Sequence, residues 1–178
     1  MKGNKRNILA ICGSTKENST NKTILETIKK RYSNLIELTI YNQIDKLPHF
    51  NPDLDNESNL PIVIQNFRNE IESADGILFC SPEYVFSLPG VLKNAIEWSV
   101  STTIFSQKPT AYIIAAASGE KAFESLGLIL KTIECKINKN SSLLIQGAKG
   151  IITKNGEISD EKTLFDIDTL IKSFLEIN

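Results

Sequence analysis

An α/β domain built on a five-stranded parallel sheet, strand order 2-1-3-4-5, is the fold this sequence predicts. Two observations predict it. Short apolar runs alternate with longer stretches of helical spacing, and several of those runs are apolar at nearly every position. A strand of that kind is buried on both faces, so helices must cover both sides of the sheet. Alternating strands and helices then imply right-handed crossovers between parallel neighbours. The 178 residues suit one domain. No repeat, low-complexity segment or shift in composition divides them, so residues 1–178 are read as that single domain.

The elements follow in order. RNILAICGS is the first strand, and NKTILETIKKRY places Ile24, Leu25, Ile28 and Tyr32 on one helical face. NLIELTI is the second strand. LPIVIQNFRNEIESA carries Ile62, Val63, Phe67 and Ile71 at helical spacing, and DGILFCS is the third strand. PGVLKNAIEWSV predicts a helix with Pro89 near its first turn, where a missing N–H costs nothing. Val91, Leu92, Ala95 and Ile96 form its apolar stripe, and Trp98 falls off that stripe. PTAYIIAAAS is the fourth strand, KAFESLGLILKTIECKI a helix and SSLLIQ the fifth strand. GAKGIITKNGEIS is irregular, with a turn at Asn155-Gly156. A last helix, SDEKTLFDIDTLIKSFLEI, is capped by Ser159 or Asp160. The longest irregular stretch runs from Tyr41 to Asn59, and a loop of that length in a compact domain is often functional.

Bulk properties exclude several classes. A net charge of −1 and the lack of a basic run give no footprint for nucleic acid or an anionic membrane. The apolar run near the start, ILAIC, is shorter than the roughly 7–15 residues of a signal-peptide core. No stretch reaches the roughly 20 apolar residues of a membrane span, so a cytoplasmic location is expected. Cys12, Cys80 and Cys135 are widely spaced, and His49 is the one histidine, set in the Pro-rich LPHFNPD. That inventory argues against a metal site and a disulfide framework. It leaves His49 as a surface residue and Cys12 and Cys80 as small buried ones.

In a sheet of this order, ligands bind beyond the carboxyl ends of the strands where the order reverses. Three loops meet there. GSTKENSTN offers hydroxyls and amides at Ser14, Thr15, Ser19, Thr20 and Asn21 and a charge at Lys16, beside a helix start with unpaired N–H groups. It contains neither G-x-x-x-x-G-K-[ST] nor G-x-G-x-x-G. It reads as a phosphate site or as an ordinary capped loop. SPEYVFSLPG is stiffened by Pro82 and Pro89 and carries Tyr84 and Phe86. It suits a flat ring held by backbone groups, or else those aromatics cover the core or a subunit contact. AAASGEKAF ends in Ser118 and Gly119, where a ligand can approach the backbone closely or the chain simply turns.

Together these loops resemble the NAD(P)H-dependent FMN reductase family, a flavodoxin-like group with quinone-, azo-dye- and chromate-reducing members. The family's first motif is approximately G-S-x-R-x-x-S-x-N, and Gly13, Ser14, Ser19 and Asn21 match it, with Lys16 where Arg is usual. Its second is approximately P-E-Y-N-x-S-x-P-G-x-L-K-N-A-I-D-W. PEYVFSLPGVLKNAIEW follows it with Val85 in place of Asn and Glu97 in place of Asp. The SGEK loop matches weakly, and TKNGEISDEKTL resembles the family's tail.

The resemblance implies a flavodoxin-like three-layer sandwich that binds FMN. By it, Ser14, Lys16, Ser19, Thr20 and Asn21 hold the phosphate. Pro82, Glu83, Tyr84 and Val85 line the isoalloxazine, largely through backbone groups, and Ser118 and Gly119 close the other side. The implied activity is hydride transfer from NADPH or NADH through FMN to a quinone, free flavin, azo compound or metal oxyanion in a ping-pong cycle. No residue of the chain then acts as a catalytic acid or base, and Tyr84 orients ligands. A flavodoxin-type electron carrier or a non-catalytic flavin-binding paralogue is the alternative. A homodimer or homotetramer is expected, with a neighbouring subunit walling the flavin site and Trp98 as the outward-facing contact, or else as cover for the edge of its own domain.

Overall fold

The computed structural model describes residues 5–153 and 155–178; the first four residues, and Lys154 within the family-like tail, lie outside the described residues. Five parallel strands, β1 (Arg6–Cys12), β2 (Ile36–Tyr41), β3 (Gly76–Ser81), β4 (Thr110–Ala115) and β5 (Ser142–Ile145), stand in the order β2-β1-β3-β4-β5. β3 and β4 are buried at every position, and β1 from Ile8 onward. The edge strand β2 alternates along most of its length, as the polar Glu37 and Thr39 between Ile36, Leu38 and Ile40 require of a half-covered strand.

The helices are α1 (Thr20–Arg31), α2 (Ile62–Ser73), α3 (Gly90–Glu97), α4 (Glu120–Thr132) and α5 (Glu161–Leu175). Successive side chains of a strand point to opposite faces, and the core divides accordingly. Ile8, Ala10, Cys12, Leu78 and Cys80 pack with Ile24, Leu25 and Ile28 of α1 and Ile167, Leu170 and Phe174 of α5. Leu9, Ile11, Ile77 and Phe79 pack with α2, α3 and α4 through Ile64, Phe67, Leu92, Ile96, Leu126 and Leu130. This is the expected flavodoxin-like three-layer sandwich. Among the described residues no helix is long and apolar enough to cross a membrane.

Helix limits follow from local chemistry. Asp160 is the cap of α5, its carboxylate accepting from Thr163 N at 2.7 Å. α4 stops five residues short of the expected Ile137. Glu134 adopts a φ of 61°, and the chain beyond it pairs with the approach to β4, Thr110 N donating to Lys136 O at 2.8 Å.

Trp98 corrects the sequence expectation. Its side chain is fully buried within the chain. The Tyr41–Asn59 loop folds over it: Trp98 Nε1 donates to Pro48 O at 2.8 Å, and Phe50 packs edge-on at 5.1 Å between ring centroids. Asn94 Oδ1 accepts from Phe50 N at 2.8 Å, and Arg68 donates to both Trp98 O and Asp55. Trp98 leaves the apolar stripe of α3 because it is the anchor for this loop, so it offers nothing to another subunit. His49, in the same loop, is exposed.

The end of α1 is tied to α5. Arg31 Nε and Nη2 donate to the two carboxylate oxygens of Asp168, each at 2.8 Å, and the Tyr32 hydroxyl donates to Asp168 as well. The Arg31 hydrogen bonds lower the Asp168 carboxyl to about 2. A depressed carboxyl stabilises the fold above its unfolded value near pH 4 and loses that contribution as pH falls through about 2. Both side chains are partly exposed, so screening reduces the contribution. Asp168→Asn is expected to lower stability by about 1 kcal/mol at pH 7. In urea melts the difference from wild type should narrow steadily between pH 4 and pH 2, and a gap independent of pH would contradict this assignment.

Candidate functional site

β1 and β3 are neighbours in the sheet, yet α1 and α3 leave them to opposite faces. The cleft opens between the two departing chains. Cys12 and Cys80 stand side by side in register, and Gly13 N donates to Cys80 O at 2.9 Å, so the two strands stay paired to the edge of the site. Gly13 is required by that approach and not by a positive φ: a Cβ there would lie 2.3 Å from Ser81 Oγ and 3.1 Å from Leu92 Cδ2.

The loop from Ser14 to Asn21 is shaped by its own hydroxyls. Ser14 Oγ accepts from Lys16 N at 3.3 Å. Ser19 is the cap of α1, its Oγ accepting from Asn21 N at 3.2 Å. The first intrahelical bond runs from Thr23 N to Ser19 O, so the N–H groups of Thr20 and Lys22 need partners from outside the helix. With the helix dipole, that makes the start of α1 suited to an anion.

Asn21 lines the cleft and also braces it. Its amide nitrogen donates to Ala115 O at 3.2 Å, its oxygen accepts from Cys80 Sγ at 3.3 Å, and the residue is buried. The side chain therefore stitches α1 to the ends of β3 and β4, using one of its two amide protons.

Glu83 also does more than its backbone role. Its carboxylate accepts from Gly119 N at 3.2 Å and Ala122 N at 3.0 Å. A residue of the β3 loop thus caps α4, whose own cap Gly119 has no side chain to do so. Gly119 has φ 90°, and a Cβ there would meet Leu144 and Ile114 at 2.8 and 3.0 Å. It is buried, and its glycine serves the turn and the close packing. Ser118 is exposed, and neither it nor Gly119 lines the cleft; Ala115, Ala116 and Ala117 do.

The cleft has a volume of about 470 Å³, within the usual range for small-molecule sites. Ser14, Lys16, Asn18, Ser19, Thr20 and Asn21 form one wall, and Pro82, Glu83 and Tyr84 another. Gly147, Ala148 and Lys149, which follow β5, complete it and were not anticipated from the sequence. They reach the cleft because Gly147 N and Ala148 N donate to Ala117 O and Ala116 O at 3.1 and 3.0 Å, extending the β4–β5 pairing beyond the strands. The readable signal was Gly-Ala-Lys directly after a strand, on the edge where ligands bind. A larger, more open groove of about 1170 Å³ borders the cleft along α1, but charges of both signs line it, among them Glu17, Lys22, Glu26 and Lys30.

Val85 stands outside the cleft lining and is 95% exposed. Tyr84 and Ser87 exchange both backbone hydrogen bonds at 3.0 Å, enclosing a two-residue turn. Val85 and Phe86 have φ of 51° and 55°, the signature of a type I′ turn. The Asn of the family motif is explained by that backbone, since Asn tolerates the left-handed region and a β-branched residue is strained there by roughly 1–3 kcal/mol.

No thiol is poised to react. Burial pushes the Cys12 thiol up and the Cys80 thiol well up, with the neighbouring Cys12 adding to the second shift. What the site offers is an anion cradle at Lys16, Lys149, the hydroxyls and the α1 terminus, next to apolar surface at Pro82, Tyr84 and Ala115–Ala117. That donor set fits a ligand with a phosphate at one end and a flat ring at the other.

Comparison with known proteins agrees. NADH-dependent flavin reductase subunit 2 of Lactobacillus johnsonii is 31% identical over 182 residues, covering 95% of this chain and 95% of its own. NADH:(hydroxy)cinnamate reductase subunit CrdA of Vibrio ruber is 29% identical over 175 residues, covering 95% and 85%. Among solved structures, FerB of Paracoccus denitrificans, a flavoenzyme NAD(P)H:(acceptor) oxidoreductase, superposes with a TM-score of 0.83 at 25% identity, covering 97% of this chain and 98% of its own. Residues 6–148 match the family model described as NADPH-dependent FMN reductase, and the chain belongs to that family.

Proposed function

We propose that this protein is an FMN-dependent oxidoreductase that draws reducing equivalents from NADH or NADPH and delivers them to a small electron acceptor in a ping-pong cycle. The observation that carries the reading is the cleft at the β1–β3 edge, with its phosphate-type cradle and adjoining apolar wall. FMN, when bound, supplies a ring that accepts hydride from the nicotinamide and gives up two electrons. Lys16, Lys149, Ser14, Ser19, Thr20 and the first-turn N–H groups of α1 hold the phosphate. Pro82, Tyr84 and Ala115–Ala117 support the ring, and Tyr84, half exposed at the lip, orients the incoming partner. Both partners would meet the same exposed part of the ring, so nicotinamide leaves before the acceptor enters. For a quinone acceptor the balance closes as NAD(P)H plus one solvent proton and quinone giving NAD(P)⁺ and hydroquinone.

The chain needs no acid or base of its own for this cycle; its work is positioning. Quinones, free flavins, azo compounds and metal oxyanions are the acceptor classes proposed. Both curated relatives above are named as subunits, which supports a second reading, an electron-input chain whose acceptor belongs to a companion polypeptide. A cytoplasmic homodimer or homotetramer is proposed on family resemblance alone.

The direct test is to purify the protein, load it with FMN and add NADH or NADPH without oxygen. Bleaching of the flavin, followed by reoxidation with a quinone or ferricyanide, is expected. A protein that takes up no FMN would sink the reading, and bleaching with no turnover by any small acceptor would favour the companion-chain reading. The phosphate assignment has its own test. Lys16→Gln and Lys149→Gln should each weaken FMN about 5–10-fold while leaving riboflavin binding nearly unchanged. Equal losses for both ligands would place these lysines elsewhere. Finally, Glu83→Gln removes a charge from the α4 cap. It is expected to cost about 1–2 kcal/mol in thermal melts and to loosen FMN several-fold, because two loops around the cleft share that carboxylate.

A further inference from the structure

The Tyr84–Ser87 hairpin carries three large exposed side chains in a row. Tyr84, Val85 and Phe86 are 54%, 95% and 77% exposed. Val85 and Phe86 hold the left-handed backbone that Asn and Gly adopt most readily, and neither side chain is covered within the chain to offset the strain. Strained segments of this kind cluster at ligand clamps. The hairpin is continuous with the wall formed by Pro82, Glu83 and Tyr84. Of the other side chains lining the cleft, the most exposed belong to Lys16, Asn18, Ala117 and Lys149, three polar and one small. Large apolar surface at the lip is therefore confined to Tyr84 and this turn. Its base does not swing freely, because the Glu83 carboxylate is fixed to Gly119 N and Ala122 N.

We propose that the Val85–Phe86 turn is the apolar wall of the electron-acceptor site, and that Phe86 selects flat conjugated acceptors over ionic ones. This rests on the flavin-dependent reading above. An acceptor ring lying at the lip gains cover from Phe86, which is otherwise left in water. A small hydrophilic ion gains nothing from that contact. Covering a phenylalanine side chain is worth roughly a 10- to 100-fold change in affinity, enough to set a preference between acceptors. The Tyr84–Ser87 hydrogen bonds and the Glu83 bracing hold the turn, and with it Phe86, away from the domain at the expense of backbone strain at Val85.

The test uses the FMN-loaded protein, with menadione as the flat apolar acceptor and ferricyanide as the ionic one. In Phe86→Ser, the dissociation constant of oxidised menadione, measured by titration calorimetry without nicotinamide, should rise about 10-fold or more. The ratio of kcat/KM for menadione to that for ferricyanide should fall comparably, and Phe86→Trp should restore both. Val85→Asn should raise Tm by roughly 2–5 °C, reporting release of strain with Phe86 still in place. Unchanged menadione binding in Phe86→Ser, or no recovery in Phe86→Trp, would overturn the proposal. So would dissociation of an oligomer by Phe86→Ser with menadione affinity intact, which would assign the turn to a contact between copies. If wild type reduces ferricyanide with NADH or NADPH but these variants fail as described, this inference alone falls. If wild type neither binds FMN nor reduces ferricyanide, the functional reading falls and takes this inference with it.

Discussion

The site depends on one topological constraint: two adjacent parallel strands send their helices to opposite faces. β1 feeds α1 on one side and β3 feeds α3 on the other, so a gap must open between their loops. The gap is kept narrow at its base. Gly13 lets β1 run on beside β3, and a single methyl group at that position would collide with Ser81. The backbone donors at the start of α1 and the apolar chain after β3 therefore face a common space.

Around that gap, the polar side chains mostly bind the protein to itself. Ser19 caps its own helix, Asn21 bonds to the ends of β3 and β4, and Glu83 caps a helix from another loop. This arrangement leaves ligand recognition to backbone N–H groups, hydroxyls and two lysines. It also gives the PEY segment a structural duty: Glu83 accepts from two N–H groups, which an apolar residue cannot do. A motif read as a list of ligand contacts is in part a list of braces that hold the loops in register with one another.

Much of the fold was legible because it is written in periodicity. The apolar runs of β1, β3 and β4, the stripe of α1 and the alternation in β2 each follow from which faces are covered, and burial in the structure follows the same pattern. Legibility failed where a residue's partner is distant in sequence. Trp98 looked outward on its helix because nothing local reveals that Pro48 and Phe50 return to cover it. Nothing local to Ser118 and Gly119 shows what the turn there packs against. Gly119 accommodates Leu144 and Ile114 and the Glu83 bond. Lys149 was overlooked because its place in the cleft depends on a pairing that continues past the end of β5.

Val85 shows how a departure from a motif can be a statement about the backbone. The position lies beside the cleft lining, at the tip of the turn that follows Tyr84. What changes is the ease of a left-handed conformation and the polarity of the turn's tip. The two hydrogen bonds between Tyr84 and Ser87, together with the bracing of Glu83 on α4, hold the hairpin in a shape that Val itself disfavours. Relief of that strain was open to the chain by a return to Asn or Gly, at the loss of an apolar tip beside the cleft. A strained residue that improves no internal packing makes physical sense where its side chain meets something outside the chain. That places the meaning of Val85 on the side of function and not of folding.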